Sequence, residues 1–343
     1  MSLNLFDIVE KEKWQSMQNS FSNALGISIQ TVDPNAMPLS DINNMNRFCL
    51  DIMNAGTKNN RDCFGECVKQ LISSIKKDRS NNYHICYFGD VYLYGIPIEI
   101  EENSELAYEI VGPVITGKKK TEAEYRKIAE ENDIKPDYLM ERIAELKSVS
   151  FNNMESTAKL IHEVTHYILQ LNYDIKNLRK RFTVSGPLDD VIRDIYSSGY
   201  IDELLNALLQ ASLDTTKSHA GSIMVLDENK NELAIKFSRG LSSEITKNTR
   251  VKVGEGISGV VARNRSPLLI NDSIQNLEIK NRLKRPNIKS SIIYPLEVKN
   301  KLLGVMNIND TGSGKRFNSE TLNSIGSLLN LARAALTMFP KAA

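Results

Sequence analysis

Cysteine and histidine are scarce in this 343-residue chain, at four each, and tryptophan occurs once. Charge of a single sign is missing as well: 43 Lys and Arg stand against 42 Asp and Glu. That balance leaves no global field to gather nucleic acid or an anionic membrane. No apolar run approaches the ~18 residues that span a bilayer. Met1 to Trp14 carries Asp7, Glu10 and Glu12 where a secretory signal has a basic start and an apolar core. These absences predict a cytoplasmic protein with no direct nucleic-acid or membrane contact. The length suits two domains, each able to bury its own core.

What cysteine there is lies together. Cys49, Cys63, Cys67 and Cys86 occupy one short window, and the rest of the chain has none. Thiols stay reduced in the cytoplasm, so a cluster favours metal or redox chemistry over disulfides. Cys63 and Cys67 are four apart and share one face of a helix. If Cys49 and Cys86 converge on them, four thiolates fill the shell of zinc or hold an iron–sulfur cluster. A cluster would make the domain redox- or oxygen-responsive. The spacing matches neither a zinc ribbon nor a ferredoxin run. Four buried thiols acting as small hydrophobes, or a Cys63–Cys67 disulfide, stay open. His84 shares a strand face with Cys86 and reads as a pocket-lining or buried histidine.

Three parts separate along the chain. Residues 4–136 alternate helical and strand patterns. Helices are expected over Phe6–Leu25, Asn44–Met53 and Cys63–Ile75, with strands at Ile27–Val32, Tyr83–Phe88, Val91–Tyr94, Ile96–Glu101 and Ala107–Val114. Residues 151–183 carry heptads. Met154, Ile161, Ile168, Ile175 and Phe182 are seven apart, with Thr157, Val164, Leu171 and Leu178 three residues after the first four. Such an a/d seam predicts a parallel two-stranded coiled coil and a homodimer; the competing reading is an amphipathic helix packed on its own domain. Ser185-Gly186-Pro187 breaks the helix. Residues 188–338 begin and end in helices, at Tyr200–Thr216 and Ser319–Met338. Between them lie hairpins at Ala220–Arg239 and Ser290–Asn309 and a short helix at Ile257–Arg263.

The third part resembles a GAF domain over essentially its whole length. The resemblance rests on Gly254-Glu255-Gly256-Ile257-Ser258-Gly259-Val260-Val261-Ala262, Leu269-Ile270-Asn271-Asp272, Ile293-Tyr294-Pro295-Leu296 and Leu303-Gly304-Val305-Met306-Asn307-Ile308. It implies an antiparallel sheet backed by helices, a small-molecule pocket on one face, and dimerisation through flanking helices. Arg239, Asn271 and Asp272 are candidate polar liners. The part lacks cysteine, so covalent bilin attachment and thiol-based sulfoxide reduction are not open to it. The first part resembles the PocR-type ligand-binding domain, a PAS-like module. Trp14, Phe21, Phe48-Cys49, Cys63 with Cys67, Cys86, Pro97-Ile98 and Gly112 carry that resemblance. It implies sensing of a small hydrocarbon derivative such as a diol, with Trp14, Phe48 and His84 as candidate liners.

Two further motifs are set aside on context. His162-Glu163-Val164-Thr165-His166 spells the zinc-peptidase HExxH, yet the heptad puts both imidazoles at outward b and f positions. Gly254-x-Gly256-x-x-Gly259 spells a dinucleotide fingerprint, but the strands around it read as hairpins and not as a βαβ unit. The basic runs Lys118–Lys120 and Arg282–Arg285 read as solvated loops. The expected fold class is α+β: two PAS/GAF-like antiparallel-sheet sensor domains joined by a long coiled-coil helix. The expected function is non-catalytic sensing of a small ligand. Output would come from a downstream signalling protein or from a domain of a longer chain.

Overall fold

The computed structural model describes residues 3–44, 47–54, 63–86, 90–100, 105–117, 119–182, 187–271, 290–310 and 317–337. Two compact units divide it, Met1–Lys176 and Asn177–Ala343.

The first unit is built on one sheet. Its strands are β1 (Ile29–Val32), β2 (Tyr83–Ile85), β3 (Val91–Glu99), β4 (Glu105–Thr116) and β5 (Ser148–Val149). The order β1-β4-β3-β2 is antiparallel throughout, and β5 adds a short parallel pairing to the end of β4. The two predicted strands at 91–94 and 96–101 are one continuous strand, β3. Gly95 sits between them because α3 (Cys63–Lys77) comes so close that an added Cβ would meet Ile75 at 2.6 Å.

Alternation along the strands gives the sheet two different faces. Val32, Leu93, Tyr108 and Ile110 point to one. They form a single apolar cluster with Phe48 and Ile52 of α2 (Arg47–Asn54), Val68, Leu71 and Ile75 of α3, Tyr125 of α4 (Glu122–Glu131) and Leu139 of α5 (Pro136–Ala144). Thr31, Ile96 and Glu109 point to the other, since Glu109 lies opposite Thr31 on one side and Ile96 on the other. This second face takes α1 (Lys11–Leu25) and α6 (Phe151–Phe182). Trp14 of α1 donates to Thr31 Oγ1 at 2.8 Å, and the Phe151 ring meets Tyr83 and Tyr94 at 5.5 and 6.4 Å.

The placement of α6 follows the competing reading, an amphipathic helix packed on its own domain. Met154, Thr157, Ile161, Val164, Ile168, Leu171 and Ile175, seven residues of the heptad seam, are buried within the single chain. Leu178 and Phe182 have side chains outside the described residues. The buried arc also takes in Ala158, Leu160, Thr165 and Leu169. That width belongs to a core-facing helix of a globular domain rather than to a narrow coiled-coil seam. Lys176 Nζ donates to the Asp7 carbonyl. The stretch read as a linker is therefore largely part of the first unit.

The second unit carries a six-stranded antiparallel sheet in the order β8-β7-β6-β11-β10-β9. The strands are β6 (Ala220–Asp227), β7 (Glu232–Arg239), β8 (Arg250–Lys252), β9 (Leu268–Ile270), β10 (Ser290–Val298) and β11 (Lys301–Asp310). Two long helices, α7 (Pro187–Thr216) and α10 (Ser319–Leu336), pack together on one face. Gly326 of α10 sits against the Tyr294 ring there. The short helices α8 (Ser243–Asn248) and α9 (Gly256–Asn264) complete the unit, and α9 lies against β8, β10 and β11. Among the described residues no helix is long and apolar enough to cross a membrane.

Candidate functional site

A cavity of about 410 Å³ opens on the α9 side of the second sheet. Its floor follows from strand register. Ser222 of β6 faces Asn307 of β11, Asn307 faces Ile293 of β10, and Asn309 faces Ser291. Cross-strand partners share a face, so Ser222, Asn307, Asn309 and Ser291 make a polar patch at the middle of the sheet. Apolar side chains ring it: Met224, Ile235, Val251, Ile257, Ile270 and Ile293. Alternation predicts apolar residues at these inward positions. β11 obeys with Val305, then places Asn307 and Asn309 where a core would want branched carbons.

Both asparagines are more than nine-tenths buried, at 9% and 8% exposed. Ser258 Oγ donates to Asn307 Oδ1 at 2.8 Å, and Ser291 Oγ donates to Asn309 Oδ1 at 2.7 Å. Each carbonyl oxygen is thus satisfied from within, and each Nδ2 is left facing the cavity without a protein partner among the described residues. Ser222, 4% exposed, lines the same space.

The rim is the start of α9. Glu255, Gly256, Ile257 and Ser258 all border the cavity, and no side chain caps this helix. Its first N–H groups have no intrahelical partners. Of the Gly254-x-Gly256-x-x-Gly259 motif, Gly256 borders the cavity. Gly256 has φ +56°, a left-handed conformation that glycine takes without strain. At Gly259 an added Cβ would lie 2.3 Å from the Lys252 carbonyl oxygen. Gly259→Ala is therefore expected to push α9 off β8 and cost about 2 kcal/mol or more. Thermal unfolding of the full chain measures it, and an unchanged melting temperature would contradict this account of the motif.

The candidate residues read from sequence fall elsewhere. Arg239 is exposed and donates to Ser238 O and Asn206 Oδ1; Asn271 donates to Phe317 O at 3.1 Å. Neither borders the cavity. Asp272 lies outside the described residues. In the first unit Trp14 and Phe48 are core residues, 0% and 1% exposed, and His84 is half-buried on β2 opposite Leu93. The residues that do line the cavity were missed. Their signal was available in β11, as asparagine at two successive inward positions.

Cys67 and Cys86 are buried, Cys49 is half-buried, and all three belong to the same apolar cluster as Phe48 and Ile52. Cys63 opens α3 one turn before Cys67, with its side chain outside the described residues. Among the described residues, no group of three or more His, Cys, Asp or Glu is placed to hold a metal. His162 and His166 do not face outward as the heptad required. Both are half-buried, with Nδ1 3.2 and 3.3 Å from the carbonyl oxygens of Pro97 and Glu99 on β3.

One carboxyl in the first unit is unusual. Glu109 is fully buried, and neither oxygen has a partner among the described residues. The reason is local. Its neighbour Thr31 already accepts from Trp14 Nε1 and donates to Gln18 Oε1, and its other neighbour is Ile96. Desolvation pushes its pKa up to about 8, from an ordinary 4.5.

The second unit is thus a sheet with two long helices on one side and a small open cavity on the other. The family comparisons agree: the chain carries the sensory domain found in PocR over residues 7–173, followed by a GAF domain over residues 200–337. Solved structures similar to it include the GAF domain of an Acinetobacter phosphoenolpyruvate-protein phosphotransferase (18% identity, 45% of this chain and 96% of that one, TM-score 0.34). Another is the GAF domain of the corresponding Coxiella burnetii protein (17%, 55% and 95%, TM-score 0.36). A third is the second GAF domain of DevS from Mycobacterium smegmatis (16%, 39% and 90%, TM-score 0.32). No curated protein matches the chain.

Proposed function

We propose that this chain is a non-catalytic, cytoplasmic signal-sensing protein whose GAF cavity holds a small molecule, with the PocR domain supplying a second input. The observation that carries the reading is the cavity of about 410 Å³, apolar at its walls and polar at the centre of its floor. That volume and mixture suit a small ligand. Occupancy would act on the sheet and, through it, on α7 and α10, which back its other face. A ligand that prefers one arrangement of those helices shifts the population toward it. A second copy of the chain or a downstream protein would read that shift.

A thermal-shift screen of the full chain against a library of small metabolites tests it. At least one compound should raise the melting temperature, and Ile293→Trp, which fills the cavity, should remove that response. A library in which no compound gives a response sensitive to Ile293→Trp would sink the reading.

A further inference from the structure

We infer that the GAF cavity is built for a small carboxylic acid, bound as its carboxylate. The inference rests on the ligand-binding reading of the cavity and specifies what enters it. The argument is one of donors and acceptors. Asn307 and Asn309 each turn an amide Nδ2 into the space, and each such group has two N–H donors. Their own carbonyl oxygens are occupied by Ser258 and Ser291. The floor therefore offers four amide N–H donors beside the hydroxyls of Ser222, Ser258 and Ser291, which can donate or accept. Two such amides on inward sheet positions make sense if something supplies oxygen to them.

The Ser258–Asn307 bond fixes where that oxygen goes. Ser258 lies in the first turn of α9, so 2.8 Å separates the helix start from the Asn307 side chain. The uncapped N–H groups of that turn and the Asn307 amide thus converge on one corner of the cavity. A helix N-terminus carries partial positive charge and favours an anion. Two acceptor oxygens on one planar group match such a set of donors, and charge-assisted bonds of this kind are the stronger ones. Full cationic charge is sparse. Arg250 borders the cavity, but it is exposed and already donates to the Lys247 and Thr249 carbonyls, and Glu255 stands beside it at the mouth. A phosphate dianion would ask for more positive charge than this. A monoanionic carboxylate, with its apolar remainder against Met224, Ile257 and Ile293, fits what is there.

The test is calorimetric titration of the full chain with sodium acetate, pyruvate, benzoate and succinate. The matching amides, alcohols and amines, and inorganic phosphate, serve as comparisons. At least one carboxylate should bind at least tenfold tighter than its amide. Asn307→Asp, which swaps donors for a like charge, should weaken it at least tenfold. Ser258→Ala, which releases the amide without adding charge, should weaken it several-fold in a folded protein. The inference is overturned if no carboxylate binds, if a neutral or cationic partner binds as tightly, or if phosphate binds and carboxylates do not. The two readings can fail separately. A neutral compound whose binding is lost in Ile293→Trp removes the carboxylate and keeps the cavity, whereas no binding sensitive to Ile293→Trp removes both.

Discussion

The first unit is expected to lose several kcal/mol of stability as pH rises from 5 to 8, and Glu109→Gln to abolish most of that loss. The sign follows from linkage. The carboxyl of Glu109 is held neutral by complete burial, with its folded pKa at about 8 against 4.5 in an ordinary setting. Below pH 4.5 it is neutral in folded and unfolded chains alike, so it imposes no pH-dependent cost. Between 4.5 and 8 the unfolded chain ionises and the folded one does not, so the unfolded state binds fewer protons and stability falls with pH. Each unit of that window is worth about 1.4 kcal/mol, which sums to a loss on the order of 4 kcal/mol. Above pH 8 both states are ionised and the slope ends. Glutamine keeps the shape and cannot ionise. Urea unfolding of both proteins at pH 5, 6.5 and 8 measures the difference. The two should be within about 1 kcal/mol of each other at pH 5, with the variant the more stable at pH 8. Parallel pH profiles would show that Glu109 reaches water or a partner in the folded protein.

How much could be read beforehand differs between the two units, for physical reasons. The GAF half was legible because its elements are local hairpins with strong turn signals. Ser290–Val298 and Lys301–Asp310 were placed almost to the residue. The first unit gave β1 to β4 but not β5, α4 or α5. α4 buries only Tyr125 and Ala129, so its apolar periodicity is faint. Its real signal was the Thr121–Glu124 capping box, where Thr121 and Glu124 cap each other. The cavity was less legible than the fold around it. Polar candidates were sought at Arg239, Asn271 and Asp272, at the end of one strand and just beyond another. The polar floor lies instead on the central strands, at Asn307 and Asn309, where the clue was a break in the expected pattern. The cysteines show a different limit. Spacing brought Cys49, Cys67 and Cys86 into one core, but co-location in a core does not by itself assemble ligands.

Truncating Ile161 on α6 is expected to unfold the first unit rather than separate two chains. A seam of period seven predicts partner helices, and the sequence alone does not distinguish that from a helix wrapped against its own sheet. The deciding residues are the ones beside the seam. Ala158 and Thr165 at e and Leu160 at g are buried together with the a and d positions, and Leu169 at b is too. Five of the seven heptad positions, a, b, d, e and g, thus hold residues covered by the chain itself, with β3 among the elements that α6 meets. Ile161 is fully buried, and cutting it to alanine should cost about 2–5 kcal/mol through lost burial and the cavity left behind. Lys159→Ala, on the exposed side of the same helix, should stay within about 0.5 kcal/mol of the parent. Urea denaturation followed by the fluorescence of Trp14, the one tryptophan, reports on this unit alone. Light scattering on the same samples, below the unfolding transition, should give the parent's mass for both variants. An Ile161→Ala protein that keeps its unfolding midpoint while its mass halves would mean that the face seen packed on the sheet in one chain is in solution taken up by a second.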